Sequence, residues 1–173
     1  MKKVVFDIET DGLYNEVSTI HCVTLHDLDS RETLVFNDQG SRSPISAAIS
    51  FLGDAEWVIG HNVINYDIPV IRKFYPWVNL NGRALDTLLL SRLKYPDLLA
   101  RDSALKLSGM PPKLYGRHSL EAWGYRLGTQ KGDFGKTADW SEWSQEMEDY
   151  NVQDANVTVN LWERFRKTYP GLP

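Results

Sequence analysis

Three short apolar runs precede any segment of helical periodicity in this 173-residue chain, and this order limits the fold more than any other feature. The runs cover residues 3–7, 19–26 and 32–36. The turn-prone stretch 27–30 separates the second run from the third, so the runs have the lengths and flanking residues of β-strands. They predict an antiparallel meander whose first strand ends at Asp7.

Helical and strand patterns alternate after this meander. Ser43 and Pro44 are typical of a helix cap and a first helical position, and they predict a helix that ends near Leu52. Residues 57–60 predict a buried strand, and residues 95–117 an extended loop or lid. Further helices are predicted at residues 66–74, 87–93, 119–127 and 142–167, the last as one helix or two. This order predicts an α/β domain with a mixed sheet.

One domain covering residues 1–173 is expected, because the chain has the length of a typical domain and contains no repeat or linker. The single cysteine, Cys22, lies in an apolar run, which favours a buried thiol and a reducing compartment. No apolar stretch approaches the roughly 18 residues of a transmembrane helix, and the amino terminus does not resemble a signal peptide. We therefore expect a cytoplasmic protein.

The formal net charge of -4 argues at first against a nucleic-acid-binding protein. The charge is uneven, however: residues 101–136 carry seven basic and three acidic side chains, a local balance of +4 between two acidic regions. The basic side chains are Arg101, Lys106, Lys113, Arg117, Arg126, Lys131 and Lys136. This segment is compatible with an ordinary solvated region or with contact to a polyanion.

Asp7 and Glu9 lie two residues apart at the end of the first predicted strand. Side chains at this spacing on a strand point to the same face, so the two carboxylates can converge on one point. Acids after a strand often only face solvent, and this pair therefore needs partners from elsewhere in the chain to indicate a site.

Two later segments supply such partners. Asp67 opens a predicted helix after the fourth predicted strand, and His61 and Asn62 precede it; each of these residues also has a structural interpretation as a helix-terminal or capping group. Tyr150 and Asp154 are four residues apart on the last predicted helix and share a face. The chain thus offers four carboxylates and a tyrosine that can meet.

Oxygen ligands of this kind suit hard divalent cations such as Mg²⁺, which proteins bind with a few carboxylates, water and phosphate oxygens. Two such ions about 3.5 to 4 Å apart can activate water and stabilise the leaving oxygen of a phosphodiester. The pattern predicts metal-assisted phosphodiester hydrolysis.

The same segments resemble the three exonuclease motifs of the DEDD superfamily, tyrosine subclass. They read DIETDG at 7–12, N-x-x-x-Y-D from Asn62 to Asp67, and Y-x-x-x-D from Tyr150 to Asp154. LDTLLLSRL at 85–93, GRHSLEAWGYRLG at 116–128 and EDYNVQDANVT at 148–158 resemble the proofreading domain of the family A DNA polymerases of short-tailed bacteriophages. The resemblance covers nearly the whole chain.

This resemblance implies a ribonuclease H-like α/β fold, with a mixed β-sheet flanked by α-helices, and a 3'-5' exonuclease acting on single-stranded or frayed DNA. It makes Asp7, Glu9, Asp67 and Asp154 the ligands of two Mg²⁺ or Mn²⁺ ions, with Asp7 bridging both and Asp67 acting mainly through the outer shell. Tyr150 would orient the attacking water rather than deprotonate it, because a free tyrosine titrates near 10. The products would be nucleoside 5'-monophosphates.

Eight residues near the motifs and in the basic segment are expected to contact the substrate. They are Thr10, Leu13, His61, Asn62, Lys113, Tyr115, Arg117 and His118. The resemblance assigns Leu13 as a wedge against the terminal base. Tyr115 is the candidate for stacking on a base, whereas Trp123 lies in an apolar helical pattern and is expected in the core.

Two alternatives stay open at this point. The catalytic set does not discriminate sugars, so an exoribonuclease acting on short RNA is one, and a catalytically silent nucleic-acid-binding module is the other. The chain is expected to be a monomer, either free-standing or excised from a longer protein, with a DNA polymerase or replication protein as partner in cis or in trans. A phage-encoded protein would act in the cytoplasm of the infected bacterial host.

Overall fold

Five strands form a mixed sheet in the order β3-β2-β1-β4-β5 in the described part of the chain, residues 2–80, 82–129 and 139–173 of a computed structural model. The strands are β1 (Lys3–Thr10), β2 (Ile20–Asp27), β3 (Thr33–Asn37), β4 (Trp57–Gly60) and β5 (Ala84–Asp86). As predicted, β1, β2 and β3 form an antiparallel meander. β4 pairs in parallel with β1, and β5 in parallel with β4, so the carboxyl ends of these three strands meet at one edge.

Helices cover both faces of the sheet. They are α1 (Ile45–Asp54), α2 (Asp67–Phe74), α3 (Thr87–Lys94), α4 (Leu98–Leu105), α5 (Leu120–Leu127) and α6 (Gln145–Thr168), and a short 3-10 turn (Pro112–Leu114) precedes α5. None of the helices described is long and apolar enough to cross a membrane.

The side chains of β1 alternate between the two faces of the sheet. Val4, Phe6 and Ile8 are buried in one cluster with the apolar residues of α1 and α2. Val5 belongs to a different cluster, in which Trp162 of α6 packs against it. Because alternate side chains of a strand point to opposite faces, the two acidic residues that follow Val5 on its face are directed toward α6.

The first residues of α6 are bonded to the far edge of the sheet. Glu148 is buried and accepts hydrogen bonds from the Asn37 amide at 2.6 Å and from the Arg42 guanidinium at 3.0 and 3.1 Å. Asn37 ends β3, so this contact ties α6 to a strand more than a hundred residues away in sequence. It fixes the part of α6 that carries Tyr150 and Asp154.

Two elements were not predicted. The segment 95–117, interpreted as a loop or lid, contains α4, and the reason lies in its pattern: Asp102 is buried while Leu99 and Leu105 are exposed, so no apolar stripe marks the helix. β5 is only three residues long and is too short to show a periodicity. It is placed by its pairing with β4.

Two boundaries also differ from the prediction. Ser43 does not cap α1, because the Ile45 N–H bonds the Asp38 carboxylate at 3.0 Å and the Ser43 carbonyl accepts from Asn37. The last helix is a single helix of 24 residues that begins after its cap, Ser144.

Other predictions are confirmed. Cys22 and Trp123 are buried, and burial raises the pKa of the Cys22 thiol. Lys131 and Lys136 of the basic segment lie outside the described residues.

A buried ion pair joins α4 to α5. The Arg126 guanidinium donates to both carboxylate oxygens of Asp102, at 3.0 and 2.7 Å, and Gly116 N–H donates to the same carboxylate at 2.8 Å. Burial alone would raise the pKa of Asp102, but these hydrogen bonds lower it overall. The pair therefore fixes the turn at Gly116, directly before Arg117 and His118.

Replacing Arg126 with methionine should destabilise the fold strongly, because it leaves the Asp102 carboxylate buried without its counter-ion. Breaking a buried pair in this way costs about 3–5 kcal/mol, which corresponds to a fall in melting temperature of roughly 6–20 °C for a chain of this size. Thermal denaturation followed by circular dichroism measures it.

The matched control is Arg101→Met. The Arg101–Asp97 pair has a similar distance, 2.9 Å, but both side chains are about half exposed, so its loss should cost less than about 1 kcal/mol. Equal melting temperatures for the two variants would contradict the role given to the buried pair.

Candidate active site

Three carboxylates meet where β1 runs beside α6. Asp7 and Glu9 come from β1 and Asp154 from α6, and one carboxylate oxygen of each lies within 4.8 Å of those of the other two. Asp7 and Glu9 are partly exposed, whereas Asp154 is buried. Three anionic oxygens this close repel one another unless a cation lies among them. The donor set, oxygen only, fits a hard divalent cation such as Mg²⁺ or Mn²⁺.

Asn151 is a member of this site that the sequence motifs did not indicate. It is fully buried on α6, and its side-chain amide donates to Oδ2 of Asp7 at 2.7 Å. Residues 151 and 154 are three apart on a helix and share a face, so the signal available in the sequence was the spacing to Asp154. The hydrogen bond fixes the rotation of the Asp7 carboxylate.

Asp67, the fourth predicted carboxylate, is not part of this three-residue cluster. It is the first residue of α2 and is buried, and the Ile8 N–H donates to its Oδ1 at 3.3 Å. Burial raises the pKa of Asp67 to about 7, against the opposing effect of backbone hydrogen bonds from Asp67 and Ile8. Asp67 thus lies behind β1 and bonds the strand segment between Asp7 and Glu9.

Tyr150 lies one turn before Asp154 on α6 and is partly buried. Its ring meets Trp140 edge to face, with centroids 6.1 Å apart and an interplanar angle of 72°. Trp140 was not predicted as a site residue, since no periodic pattern includes it. Its carbonyl is hydrogen-bonded to the His21 ring at 3.0 Å, which ties this segment to β2.

A cavity of about 390 Å³ opens beside the cluster. Its lining includes Glu9, Thr10, Leu13, Tyr66 and Trp140. Leu13 is 74% exposed, so a large apolar side chain stands at the cavity with little of its surface covered. Apolar and aromatic surface next to three carboxylates is suited to a nucleoside whose phosphate lies at the carboxylates.

The rim of this cavity is fixed by hydroxyl groups. The Thr10 and Tyr66 hydroxyls are in contact with each other, and each also lies within hydrogen-bond distance of the Gly12 carbonyl, at 3.1 and 2.5 Å; their two hydrogens serve these three contacts. Burial raises the pKa of Tyr66, with neighbouring acids adding to the effect and the Thr10 bond opposing it. Thr10, expected to contact substrate, therefore has a structural role in positioning the turn before Leu13.

A second cavity, of about 470 Å³, has a cationic lining. Four of the predicted substrate residues lie together here, namely His61, Asn62, Arg117 and His118. The lining adds Arg92, which was not predicted to contact the substrate. Lys113 and Tyr115 are outside this lining: Lys113 is exposed in the 3-10 turn, and Tyr115 packs on the cluster of Met110, Leu114 and Ala122.

The turn that carries His61 and Asn62 is fixed by Asp86, another residue that the motifs did not indicate. Asn62 adopts a left-handed φ of 69°, and the N–H groups of Asn62 and Ile64 donate to Asp86 at 2.9 and 3.2 Å. The chain approaches itself closely here, because a Cβ added at Gly60 would lie 2.9 Å from the Phe6 carbonyl oxygen. Gly60 is thus required where β4 ends.

Comparisons with known proteins agree with this architecture. A family model described as the RNase_H superfamily matches residues 4–166. The DNA-directed DNA polymerases of Escherichia phage T7 and Enterobacteria phage T3 are each 32% identical to the chain, in alignments that cover 93% of this chain and 26% of theirs. The chain therefore spans about a quarter of the length of these curated relatives.

Solved structures share the fold at lower identity. Brucella melitensis NrnC superposes with a TM-score of 0.64 at 17% identity, over 97% of this chain and 75% of its own. The EXO domain of Aedes aegypti Nibbler gives 0.65 at 14%, over 99% and 82%. E. coli ExoI in its complex with single-stranded DNA gives 0.56 at 15%, over 98% and 41%. The expected ribonuclease H-like fold and the resemblance indicated by the motifs are confirmed.

Proposed function

Because the chain belongs to the RNase H superfamily, we propose that it is a metal-dependent 3'-5' exonuclease that hydrolyses phosphodiesters at the 3' end of single-stranded or frayed DNA and releases nucleoside 5'-monophosphates. The observation that carries the proposal is the meeting of Asp7, Glu9 and Asp154 within 4.8 Å at one edge of the sheet. The family match covers residues 4–166, which supports a single exonuclease domain.

Asp7, Glu9 and Asp154 would hold the cations, Mg²⁺ or Mn²⁺, and two ions are proposed. Bound there, divalent cations supply an activated water and charge stabilisation for the leaving oxygen. Asn151 fixes the Asp7 carboxylate, and Asp67 bonds the backbone between Asp7 and Glu9, so both position the ligands rather than belong to the three-carboxylate cluster. Tyr150 would orient the attacking water from the same face of α6.

The two cavities would bind different parts of the substrate. The first, with Leu13 and Trp140, would receive the terminal nucleoside beside the carboxylates. The second, with Arg92, Arg117 and His118, would receive phosphates of the strand. The cationic side chains and the carboxylate of Glu9 line different cavities, so a net charge of -4 is compatible with a polyanionic substrate.

DNA is the proposed substrate, and the DNA polymerases that match at 32% identity support it. Their greater length supports a polymerase as the partner, joined in cis or met in trans. A phage origin would place the reaction in the cytoplasm of the infected host.

Digestion of a 5'-labelled single strand with and without Mg²⁺ tests the proposal. We expect a ladder that shortens one nucleotide at a time from the 3' end, only with the metal, and 5'-monophosphates as products. A matched RNA strand tests whether the protein prefers deoxyribose or ribose in its substrate. Faster turnover of RNA would favour the exoribonuclease alternative. The silent-module alternative predicts no metal-dependent release of nucleotides from either strand.

Replacing Tyr150 with phenylalanine should slow hydrolysis without abolishing it. The variant keeps the ring contact with Trp140 and loses only the hydroxyl. One hydrogen bond of about 1.5 kcal/mol corresponds to roughly a tenfold loss of rate. Single-turnover rates measure the change, and Tyr75→Phe, at the carboxyl end of α2, is the matched control. A Tyr150→Phe rate equal to that of the control would show that the Tyr150 hydroxyl has no part in hydrolysis.

A further inference from the structure

Helix α3 carries two buried hydroxyl groups one turn apart. Thr87 and Ser91 are both fully buried. The Thr87 hydroxyl lies 2.9 Å from Nδ1 of His61, and the Ser91 hydroxyl lies 2.6 Å from Nδ1 of His118. Both imidazoles line the cationic cavity, so a single helix bonds two histidines of that cavity through side chains at positions i and i+4.

Each of these hydroxyls has a second hydrogen-bond partner, and this partner decides whether the hydroxyl donates its hydrogen to the histidine. Thr87 donates to the Gly60 carbonyl at 3.1 Å, and a carbonyl can only accept. The one hydroxyl hydrogen is thereby used, so Nδ1 of His61 is the donor in the His61–Thr87 bond. His61 therefore carries a proton on Nδ1.

In the bond between Ser91 and His118 the hydroxyl is the donor, unlike in the bond between Thr87 and His61. Its oxygen accepts from the Trp123 indole N–H at 2.8 Å, and an indole can only donate. His118 is the other hydrogen-bond partner that the described residues give this hydroxyl, so the Ser91 hydrogen goes to Nδ1 of His118. A neutral His118 then carries its proton on Nε2, the ring nitrogen that does not face Ser91.

We propose that Ser91 is a positioning residue for substrate binding: it fixes the tautomer of His118 so that Nε2–H is donated to a phosphate oxygen in the cavity. The inference rests on the proposed function. No acidic side chain is among the described residues that line this cavity, while Arg92 and Arg117 are. The lining therefore suits an anion. Burial lowers the pKa of His118, with Arg126 and Arg92 adding to the effect, which agrees with a neutral donor.

The test compares two substrates in the full chain and its Ser91→Ala variant. On a single-stranded DNA of about ten nucleotides, the variant should raise KM roughly tenfold or more, the size expected for one hydrogen bond to a charged group, with kcat within about twofold. On the p-nitrophenyl ester of thymidine 5'-monophosphate, which has no further phosphate for the cavity, the two proteins should hydrolyse equally. Ser91→Thr keeps the hydroxyl and should restore the wild-type KM.

Two measurements keep the inference separate from the proposed function. Nitrogen-15 shifts of the imidazole of His118 report the tautomer, and we expect a protonated Nε2 in the wild type and a mixture in Ser91→Ala. Fluorescence anisotropy of labelled single-stranded DNA reports binding without turnover. Ser103→Ala, an exposed serine on α4, is the matched control.

The outcomes distinguish a failure of the proposed exonuclease activity from a failure of the role proposed for Ser91. A wild type that hydrolyses neither substrate refutes the exonuclease, whereas weaker DNA binding by Ser91→Ala would still support the role of Ser91. Unchanged KM and binding in Ser91→Ala, or a wild-type His118 protonated on Nδ1, overturns the inference.

Discussion

Replacing Asp7 with asparagine is expected to reduce hydrolysis about a hundred- to a thousandfold, the scale on which removal of one charge-stabilising group slows catalysis in other enzymes. Asp7 is one of three carboxylates within 4.8 Å, and it is also the one that Asn151 fixes in place. The substitution keeps the shape of the side chain and an oxygen that can still accept from Asn151. The loss therefore reports the missing negative charge rather than a missing contact. Single-turnover rates on a 5'-labelled single strand at saturating Mg²⁺ measure it.

Asp54→Asn is the matched control for this variant. Asp54 is exposed at the end of α1, just before the start of β4, whereas Asp7 lies near the carboxyl end of β1. The same change of charge at Asp54 should leave the rate unaltered. Asp154→Asn should resemble Asp7→Asn, and Tyr150→Phe should lie between those variants and the wild type. Wild-type rates in Asp7→Asn would refute the site.

The site was predictable where it depends on local periodicity. Asp7 and Glu9 share a face because a strand repeats every two residues, and Tyr150 and Asp154 because a helix repeats every 3.6. The meander followed from three apolar runs. These features are properties of a few neighbouring residues, which is why the pattern indicated them without any knowledge of the packing.

The residues that were missed are defined by contacts across the chain. Asn151 acts through Asp7, 144 positions away, and Asp86 through Asn62, 24 positions away. α4 escaped detection because its buried face contains Asp102, whose charge is balanced by Arg126 of another helix. The contact between a polar residue and a distant partner has no local signature, because the partner that permits the burial lies in a different element. For Asn151 the sequence shows only the helical spacing to Asp154.

Two carboxylates outside the cluster also act through contacts with distant parts of the chain. Asp67 matches its motif by sequence but lies under β1 and bonds Ile8 N–H, so the structure gives it a positioning contact. Asp86, outside the three motifs, fixes the turn that carries His61 and Asn62. Residue type and spacing therefore identified Asp67 as one of the acids of this region. They did not show that its carboxylate lies outside the cluster of Asp7, Glu9 and Asp154.

Removing divalent cations is expected to stop hydrolysis entirely and to lower the melting temperature. Three carboxylates meet in the folded protein and are separated in the unfolded chain, so a cation binds the folded state preferentially. At a concentration about a hundred times its dissociation constant, such a ligand stabilises by about 2.7 kcal/mol, or roughly 5–10 °C here. Hydrolysis in EDTA and after addition of Mg²⁺, together with thermal denaturation in both states, measures the two effects.

A variant separates binding at the cluster from a general salt effect. Asp7→Asn removes one of the three charges, so its melting temperature should rise by less than half as much with Mg²⁺ as that of Asp54→Asn, which keeps all three. NaCl at matched ionic strength should reproduce neither shift, because screening of exposed charges does not require the cluster. Hydrolysis that persists in EDTA would contradict the metal dependence, and an equal Mg²⁺ shift in both variants would place the cation elsewhere. The two readouts are independent, so a cation that stabilises the cluster without restoring hydrolysis would separate a structural metal from a catalytic one.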